Sequence, residues 1–215
     1  MLSMLESRMA MTTPRPRIIS PDTLRGSKRE RTPPGQSLTA KWPVLHYGDV
    51  PRVNPEHNDW TLSIFGLVDN PYELRYDEIR AQPAVDVVCD MHCVTHWSRL
   101  DNVFTGVPTR TIIERAKPLA NAKFVMCHGE NGFSTNLALA AFTGEDCILA
   151  YQWDGKDLEP DHGWPLRGVV PRLYLWKSAK WLRGIQLRET DAPGFWEKNG
   201  YHMRGNPWAE ERFGW

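Results

Sequence analysis

The residues that could do chemistry are concentrated in one short stretch, Asp86–Gly106 (DVVCDMHCVTHWSRLDNVFTG). It contains Cys89 and Cys93, with His92 and His96 beside them. Thiolate and imidazole groups bind metal ions, and a thiolate is also a nucleophile. The stretch follows an apolar, strand-like segment, so its side chains would leave a rigid element on a turn that can face a pocket. We therefore expect a metal-binding or reactive cysteine here.

The residues of this stretch are compatible with two kinds of site. One is a zinc site, but structural zinc favours a Cys-x-x-Cys pair with a second pair downstream, and no such pair follows here. The other is thiol-dependent hydrolysis, in which His96 would lower the pKa of the Cys93 thiol, although the base of such a pair usually comes from a distant part of the chain. Cys89 ends the apolar segment and is better explained as a buried core thiol.

Short strands and short helices must position this stretch. Apolar runs, alternating or continuous, predict the strands, and Pro and Gly mark their ends. The predicted strands are Trp60–Gly66, Ala84–Cys89, Lys123–Cys127, Ile148–Tyr151, Leu173–Trp176 and Trp181–Leu187, and the predicted helical pieces are Tyr76–Arg80, Val107–Lys117 and Leu137–Ala141. The fold class is therefore α+β, with more strand than helix.

The chain divides into an arm and one domain. Thr12–Gln36 is rich in Pro, Arg and polar side chains, so residues 1–37 are predicted to be an extended, flexible arm. Residues 38–215 are predicted to be a single domain that can bury one sizeable core.

Charge and composition exclude several classes of protein. The chain has 26 basic and 26 acidic residues, so a nucleic-acid-binding protein is not expected. No apolar stretch reaches the roughly 18 residues of a membrane span, and the first residues lack the apolar run of a secretory signal. We expect a cytoplasmic protein without a membrane span, whose four cysteines are reduced thiols.

Several segments, taken in order, resemble a known family. HCVTHWS (His92–Ser98) resembles the molybdenum-ligand motif of the sulfite oxidase superfamily of molybdopterin oxidoreductases. The likeness is strong to the catalytic subunit of the bacterial protein-methionine-sulfoxide reductase and its short, soluble relatives. Trp60–Ile79, Phe104–Ala116 and His162–Ile185 resemble further segments of that family, and the likeness covers most of Leu38–Leu187.

The resemblance implies a fold, a cofactor and a set of site residues. The fold would be the sulfite-oxidase-type mixed α/β molybdopterin-binding fold, strand-rich with short helices. The cofactor would be molybdenum bound to molybdopterin, and a soft thiolate suits its sulfur-rich metal environment. Fixed cationic groups and backbone amides suit the phosphate and ring edge of the pterin. By the resemblance Cys93 ligates the metal, and the pterin is held by His46, His128, His162, Arg167, Ser178, Ala179 and Lys180.

The resemblance also implies the reaction. We expect two-electron redox chemistry of the oxygen-atom transfer type on a small sulfur oxyanion, sulfoxide or similar substrate, with an unidentified electron donor or acceptor. The chain has no room for the haem and dimerisation domains of eukaryotic-type sulfite oxidase, so we expect no haem and a monomer or weak oligomer. Two alternatives stay open. One is a cofactor-free binding module of the same fold, and the other is a zinc- or thiol-dependent hydrolase that uses Cys93.

Overall fold

The computed structural model describes residues 14–54 and 59–214. The strands are β1 (Arg17–Ile19), β2 (Ser37–Leu38), β3 (Thr61–Gly66), β4 (Tyr72–Arg75), β5 (Val85–His92), β6 (Trp97–Pro108), β7 (Phe124–Gly129), β8 (Ser134–Ala138), β9 (Ile148–Trp153), β10 (Lys156–Asp157), β11 (Arg167–Val169) and β12 (Leu182–Arg188). The α-helices are α1 (Tyr76–Arg80), α2 (Thr109–Ala116), α3 (Leu139–Phe142) and α4 (Phe195–Lys198). Short 3-10 turns lie at Pro21–Leu24, Glu130–Gly132, Pro160–His162, Leu175–Lys177 and Pro207–Ala209.

These strands form two sheets. The first has the order β1-β5-β6-β9-β10, with β2 paired to β6 and β11 paired to β9. The second has the order β4-β3-β12-β7-β8. β5 and β6 form an antiparallel hairpin in which His92 pairs with Ser98, so the chemistry-bearing turn lies at the hairpin's end. The fold is α+β and strand-rich, as predicted.

Two apolar clusters form the core. The larger joins the second sheet to β6 and β9 of the first sheet through residues such as Ile185 and Leu149, and the smaller lies within the first sheet. In β3, Leu62 and Ile64 are buried while Thr61 and Ser63 are partly exposed, which is the period-two alternation of a half-buried strand. Helix α2 presents Ile112 to the larger cluster, so its apolar stripe covers one side of that cluster. The smaller cluster contains Val85, Val87, Cys89, Met91, Phe104, Ile148, Ala150, Leu158 and Val169.

Most predicted elements are confirmed in type, with shifted ends. The prediction of a strand at Leu173–Trp176 is wrong. The alternating burial of Tyr174 and Trp176 looks like a strand, but the amide of Ser178 donates to the Leu175 carbonyl and closes a 3-10 turn. The long strand β6 and strand β8 were not predicted, because buried polar residues such as Asn102 interrupt their apolar pattern.

The predicted flexible arm is packed against the body over the part that the structure describes. β1 pairs in parallel with β5, and the Ser20 hydroxyl donates to the buried Asp146 carboxylate at 2.6 Å. Arg31 makes a two-pronged ion pair with Asp90, whose side chain is only 1% exposed. β1, Ser20 and Arg31 therefore hold the described part of the arm against the body, and residues 1–13 of the predicted arm lie outside the described residues.

Among residues 14–54 and 59–214, no helix has the length and apolar character that a membrane span requires.

Candidate active site

One cavity of about 290 Å³ opens beside the turn between β5 and β6. Its polar lining comes from Cys93, Thr95, His46, His162, Arg167, Ser178 and Lys180. Its apolar lining is largely aromatic, from Trp42, Tyr47, Phe133, Trp97, Trp176, Trp181, Trp196 and Tyr201. A concave, mostly apolar site with a few converging polar groups is the usual form of a cofactor or substrate site.

Cys93 lies on the tight turn that joins β5 to β6. Its amide donates to the Trp97 carbonyl at 2.8 Å, and the Thr95 hydroxyl donates to its sulfur at 3.2 Å. Burial raises the pKa of the thiol, while the Thr95 hydrogen bonds and the charge of Arg212 oppose that rise. A bound metal ion would hold such a thiol in its thiolate form. The turn therefore presents one sulfur to the cavity as a possible metal ligand.

Arg167 brings a positive charge to the cavity wall from β11. Its guanidinium donates to the carbonyls of His162 at 2.9 Å, Ser178 at 3.1 Å and Gly168 at 3.3 Å. Among the described residues, no carboxylate lies within ion-pair distance of this side chain, which is only 3% exposed. Burial without a counter-charge lowers the pKa of Arg167 to about 10.

Lys180 adds a second cation to the same wall. Its ammonium group donates to the carbonyls of Leu45 and Asp161, each at 2.8 Å. Burial, and then repulsion from Arg167, lower the pKa of Lys180 to about 7. Two neighbouring cations, one of which disfavours the charge of the other, make a site that gains from a bound anion.

Two histidines complete the polar lining. The His162 ring stacks on Trp42 with centroids 3.9 Å apart, and burial lowers the pKa of His162 to about 4, so the ring is neutral at pH 7. The Nδ1 atom of His46 is 2.9 Å from the Gly48 carbonyl, and its ring meets the edge of Trp181 at 5.5 Å. The neutral imidazole of His162 offers one donor and one acceptor, which suits a heterocyclic ring edge.

The structure brings six of the eight predicted site residues to this one cavity: Cys93, His46, His162, Arg167, Ser178 and Lys180. Ala179 lies just behind the wall, where its carbonyl accepts from the Gly168 amide at 2.8 Å. His128 is placed elsewhere, on β7 of the second sheet, with Nε2 at 3.3 Å from Gln186 Oε1 and the ring stacked on Phe65. Neither residue is among the described residues that line the cavity, and their cofactor roles stay predictions.

Much of the aromatic wall was missed by the sequence-based prediction. Trp196 and Tyr201 come from the C-terminal segment, from which no site residue was predicted. Trp97, by contrast, lies within the motif His92–Ser98 that carries the resemblance. Its indole N–H is buried and has no acceptor among the described residues, which is costly in a protein interior.

The cavity's donor set fits molybdopterin. The Cys93 sulfur can complete a metal's sulfur environment, and Arg167 and Lys180 can neutralise a phosphate. The rings of His46 and His162 can meet the polar edge of a pterin.

Comparison with known proteins gives the same assignment. Residues 47–196 match the family model described as "Oxidoreductase molybdopterin binding domain". The uncharacterized oxidoreductase YuiH of Bacillus subtilis (strain 168) is 50% identical over 193 residues, which are 90% of this chain and 97% of that protein. The nitrate reductase [NADPH] of Aspergillus niger is 33% identical over 76% of this chain, which spans only 21% of the fungal protein.

A solved structure has the same fold. The sulfane dehydrogenase SoxCD from Paracoccus pantotrophus superposes with a TM-score of 0.62, over 67% of this chain and 41% of that chain, at 19% identity. The chain therefore belongs to the family of oxidoreductases with a molybdopterin-binding domain. It is an enzyme of the sulfite oxidase type.

Proposed function

We propose that this protein carries out oxygen-atom transfer on a small sulfoxide, sulfur oxyanion or similar substrate at a molybdenum–molybdopterin cofactor held in the cavity. The observation that carries the proposal is the meeting of Cys93, Arg167 and Lys180 in one cavity. Cys93 is far from the two cations in the sequence. Among the described residues, neither cation has a carboxylate within ion-pair distance, and Asp161 acts on Lys180 only from further away.

Each residue has a defined part in this proposal. Cys93 would ligate the metal, with Thr95 donating to its sulfur and holding the side chain in place. Arg167 and Lys180 would bind the phosphate, and Lys180 would be protonated as the anion raises its pKa. His46, His162 and Ser178 would hold the pterin. When bound, the cofactor supplies the two-electron redox chemistry, and the protein orients it and tunes its potential.

The lining favours a neutral sulfoxide over an oxyanion as substrate. Binding an oxyanion needs preorganised positive charge, and Arg167 and Lys180 are the only arginine and lysine among the described lining residues. Both would bind the phosphate of the cofactor. Arg99, which follows the Cys93 turn on β6, donates to the Ala40 carbonyl and the Asp154 carboxylate and is outside this lining. What remains for substrate is the wall of Trp97, Trp176, Trp196 and Tyr201, which suits an apolar group attached to sulfur.

The alternative chemistries find less support. In a zinc site at Cys93, three or more protein ligands would converge. Among residues 14–54 and 59–214, the only group of three such side chains close enough to share an ion is Glu159, Asp161 and His162. A hydrolase would need His96 as the base, but its Nδ1 is 2.8 Å from the Gly35 carbonyl and the residue is not in the described lining.

Elemental analysis of the purified protein tests the proposal. Molybdenum near one atom per chain is expected, and zinc or no metal would refute the assignment. A screen then follows the absorption of the metal as candidate substrates are added. An aryl or alkyl sulfoxide and nitrate are tested as electron acceptors with the reduced protein, and sulfite is tested as an electron donor with the oxidised protein. Turnover of sulfite or nitrate with no response to any sulfoxide would contradict the substrate argument while leaving the cofactor assignment intact.

A further inference from the structure

Two segments that are remote in the sequence, one before the domain core and one after it, contact the turn that carries Cys93. Gln36 Nε2 donates to the Cys93 carbonyl at 3.0 Å. From the other end, Arg212 Nη1 donates to the Val94 carbonyl at 2.8 Å. The carbonyl of the proposed metal ligand and the next one along are therefore both held by side chains from remote segments. Two remote donors on successive carbonyls restrict how the turn can tilt.

Arg212 is an unusual side chain for a terminal segment. It is only 6% exposed, and its guanidinium lies over the Tyr174 ring at 5.0 Å. Its second nitrogen, Nη2, donates to the Pro34 carbonyl at 3.3 Å, so it joins the N-terminal segment to the turn. Among the described residues no carboxylate oxygen lies within 4.0 Å of it, although Glu210 is close by. A buried cation bonded only to neutral carbonyls projects its charge into its surroundings.

We propose that Arg212 is a positioning residue for the metal site. It fixes the turn that presents Cys93, and its positive charge favours the reduced state of the metal bound there. Reduction adds negative charge to the metal–sulfur centre, and a nearby cation in a medium of low dielectric stabilises that charge. The guanidinium of Arg212 is bonded to the carbonyl of Val94, the residue after Cys93, so its charge lies next to the turn that presents the sulfur. The effect on the metal rests on the proposed function.

The test is a redox titration of the molybdenum-loaded protein, followed by the Mo(V) electron paramagnetic resonance signal. Arg212→Gln removes the charge, and Arg212→Lys keeps it with fewer donors. Gln36→Ala removes a turn contact without changing charge. The matched control is Arg204→Gln, because Arg204 lies in the same segment but is exposed and paired with Glu211.

We expect Arg212→Gln to shift the Mo(VI)/Mo(V) equilibrium about tenfold towards the oxidised state, which is about 59 mV for one electron. Arg212→Lys should recover most of that shift, Gln36→Ala should change the signal's shape with little change in potential, and Arg204→Gln should match wild type. A potential in Arg212→Gln equal to that of wild type would overturn the proposal.

A variant that does not retain metal is tested as apoprotein. Hydrogen exchange of the amides from Val94 to Trp97 should be faster in Arg212→Gln and unchanged in Arg204→Gln, and equal exchange in both would also overturn the positioning role. If wild-type protein contained no molybdenum, the proposed function would fail, while the exchange experiment would still decide whether Arg212 fixes the turn.

Discussion

Replacing Lys180 with methionine keeps most of the side chain's length and removes its ammonium group. In the folded chain the pKa of this lysine is lowered to about 7, because burial and the neighbouring Arg167 both disfavour its charge. An anion bound between the two cations would raise that pKa again. Binding of the cofactor's phosphate above pH 7 would therefore be linked to uptake of one proton by Lys180.

Because cofactor binding is coupled to proton uptake by Lys180, the affinity for the cofactor should depend on pH. The affinity of the wild-type apoprotein for the cofactor should fall by up to about tenfold per pH unit above pH 7, for as long as the bound lysine stays protonated. In Lys180→Met the affinity should be lower at pH 7 and nearly independent of pH above it. Quenching of the cavity tryptophans during anaerobic titration with released cofactor measures both slopes. Lys156→Met, which alters an exposed lysine on β10, is the control.

Stability of the apoprotein gives an independent check with a fixed sign. The pKa of Lys180 is about 10.4 when unfolded and about 7 when folded, so the unfolded chain binds more protons between these values. The contribution of Lys180 to the free energy of unfolding is therefore lowest below pH 7, and it rises as the pH increases from about 7 to about 10.4. The shift corresponds to at most about 5 kcal/mol, reduced by solvent in the open cavity. Equal pH slopes for wild type and Lys180→Met, in binding and in denaturation, would refute the account of the cationic pair.

Three further substitutions test other parts of the structure. Cys93→Ser should fold normally but lose the long-wavelength sulfur-to-metal absorption of the loaded protein; an unchanged band would show that another group is the ligand. Glu197→Gln should destabilise the protein by about 3–5 kcal/mol in chemical denaturation, because it leaves the Lys177 ammonium buried without its carboxylate, now 2.6 Å away. Arg31→Met should cost about 3 kcal/mol by leaving Asp90 buried and unpaired; a loss below about 0.5 kcal/mol would mean that the arm contributes little to folding.

The sequence predicted those parts of the fold whose signal is local. The strand at Trp60–Gly66 and the helix at Tyr76–Arg80 follow from apolar periodicity and flanking Pro or Gly, and the structure confirms both. Strand β6 escaped prediction because Ser98, Asn102 and Thr105 are buried in it. Asn102, for example, pairs through its side-chain amide with the Cys89 carbonyl, which is a tertiary contact that no local pattern reveals.

The site was predictable to the extent that it is built from recognisable motifs. The segments around Cys93 and from His162 to Lys180 were identified by resemblance, and the structure brings their side chains to one cavity. The contribution of the C-terminal segment to the cavity wall could not be predicted in this way. Trp196 and Tyr201 line the cavity only because Lys177 and its buried partners dock the tail on the body, and a single sequence gives no sign of that long-range contact.

Several features that are unfavourable for folding lie together around the cavity. Arg167 is buried with only carbonyl partners, and Lys180 beside it has a pKa lowered to about 7. Cys93 adds a buried thiol that accepts a hydrogen bond from Thr95. Burying a cation without a carboxylate partner costs folding free energy. The proposed cofactor would supply a phosphate to Arg167 and Lys180 and a thiophilic metal to Cys93. One proposed ligand would therefore account for all three features at once.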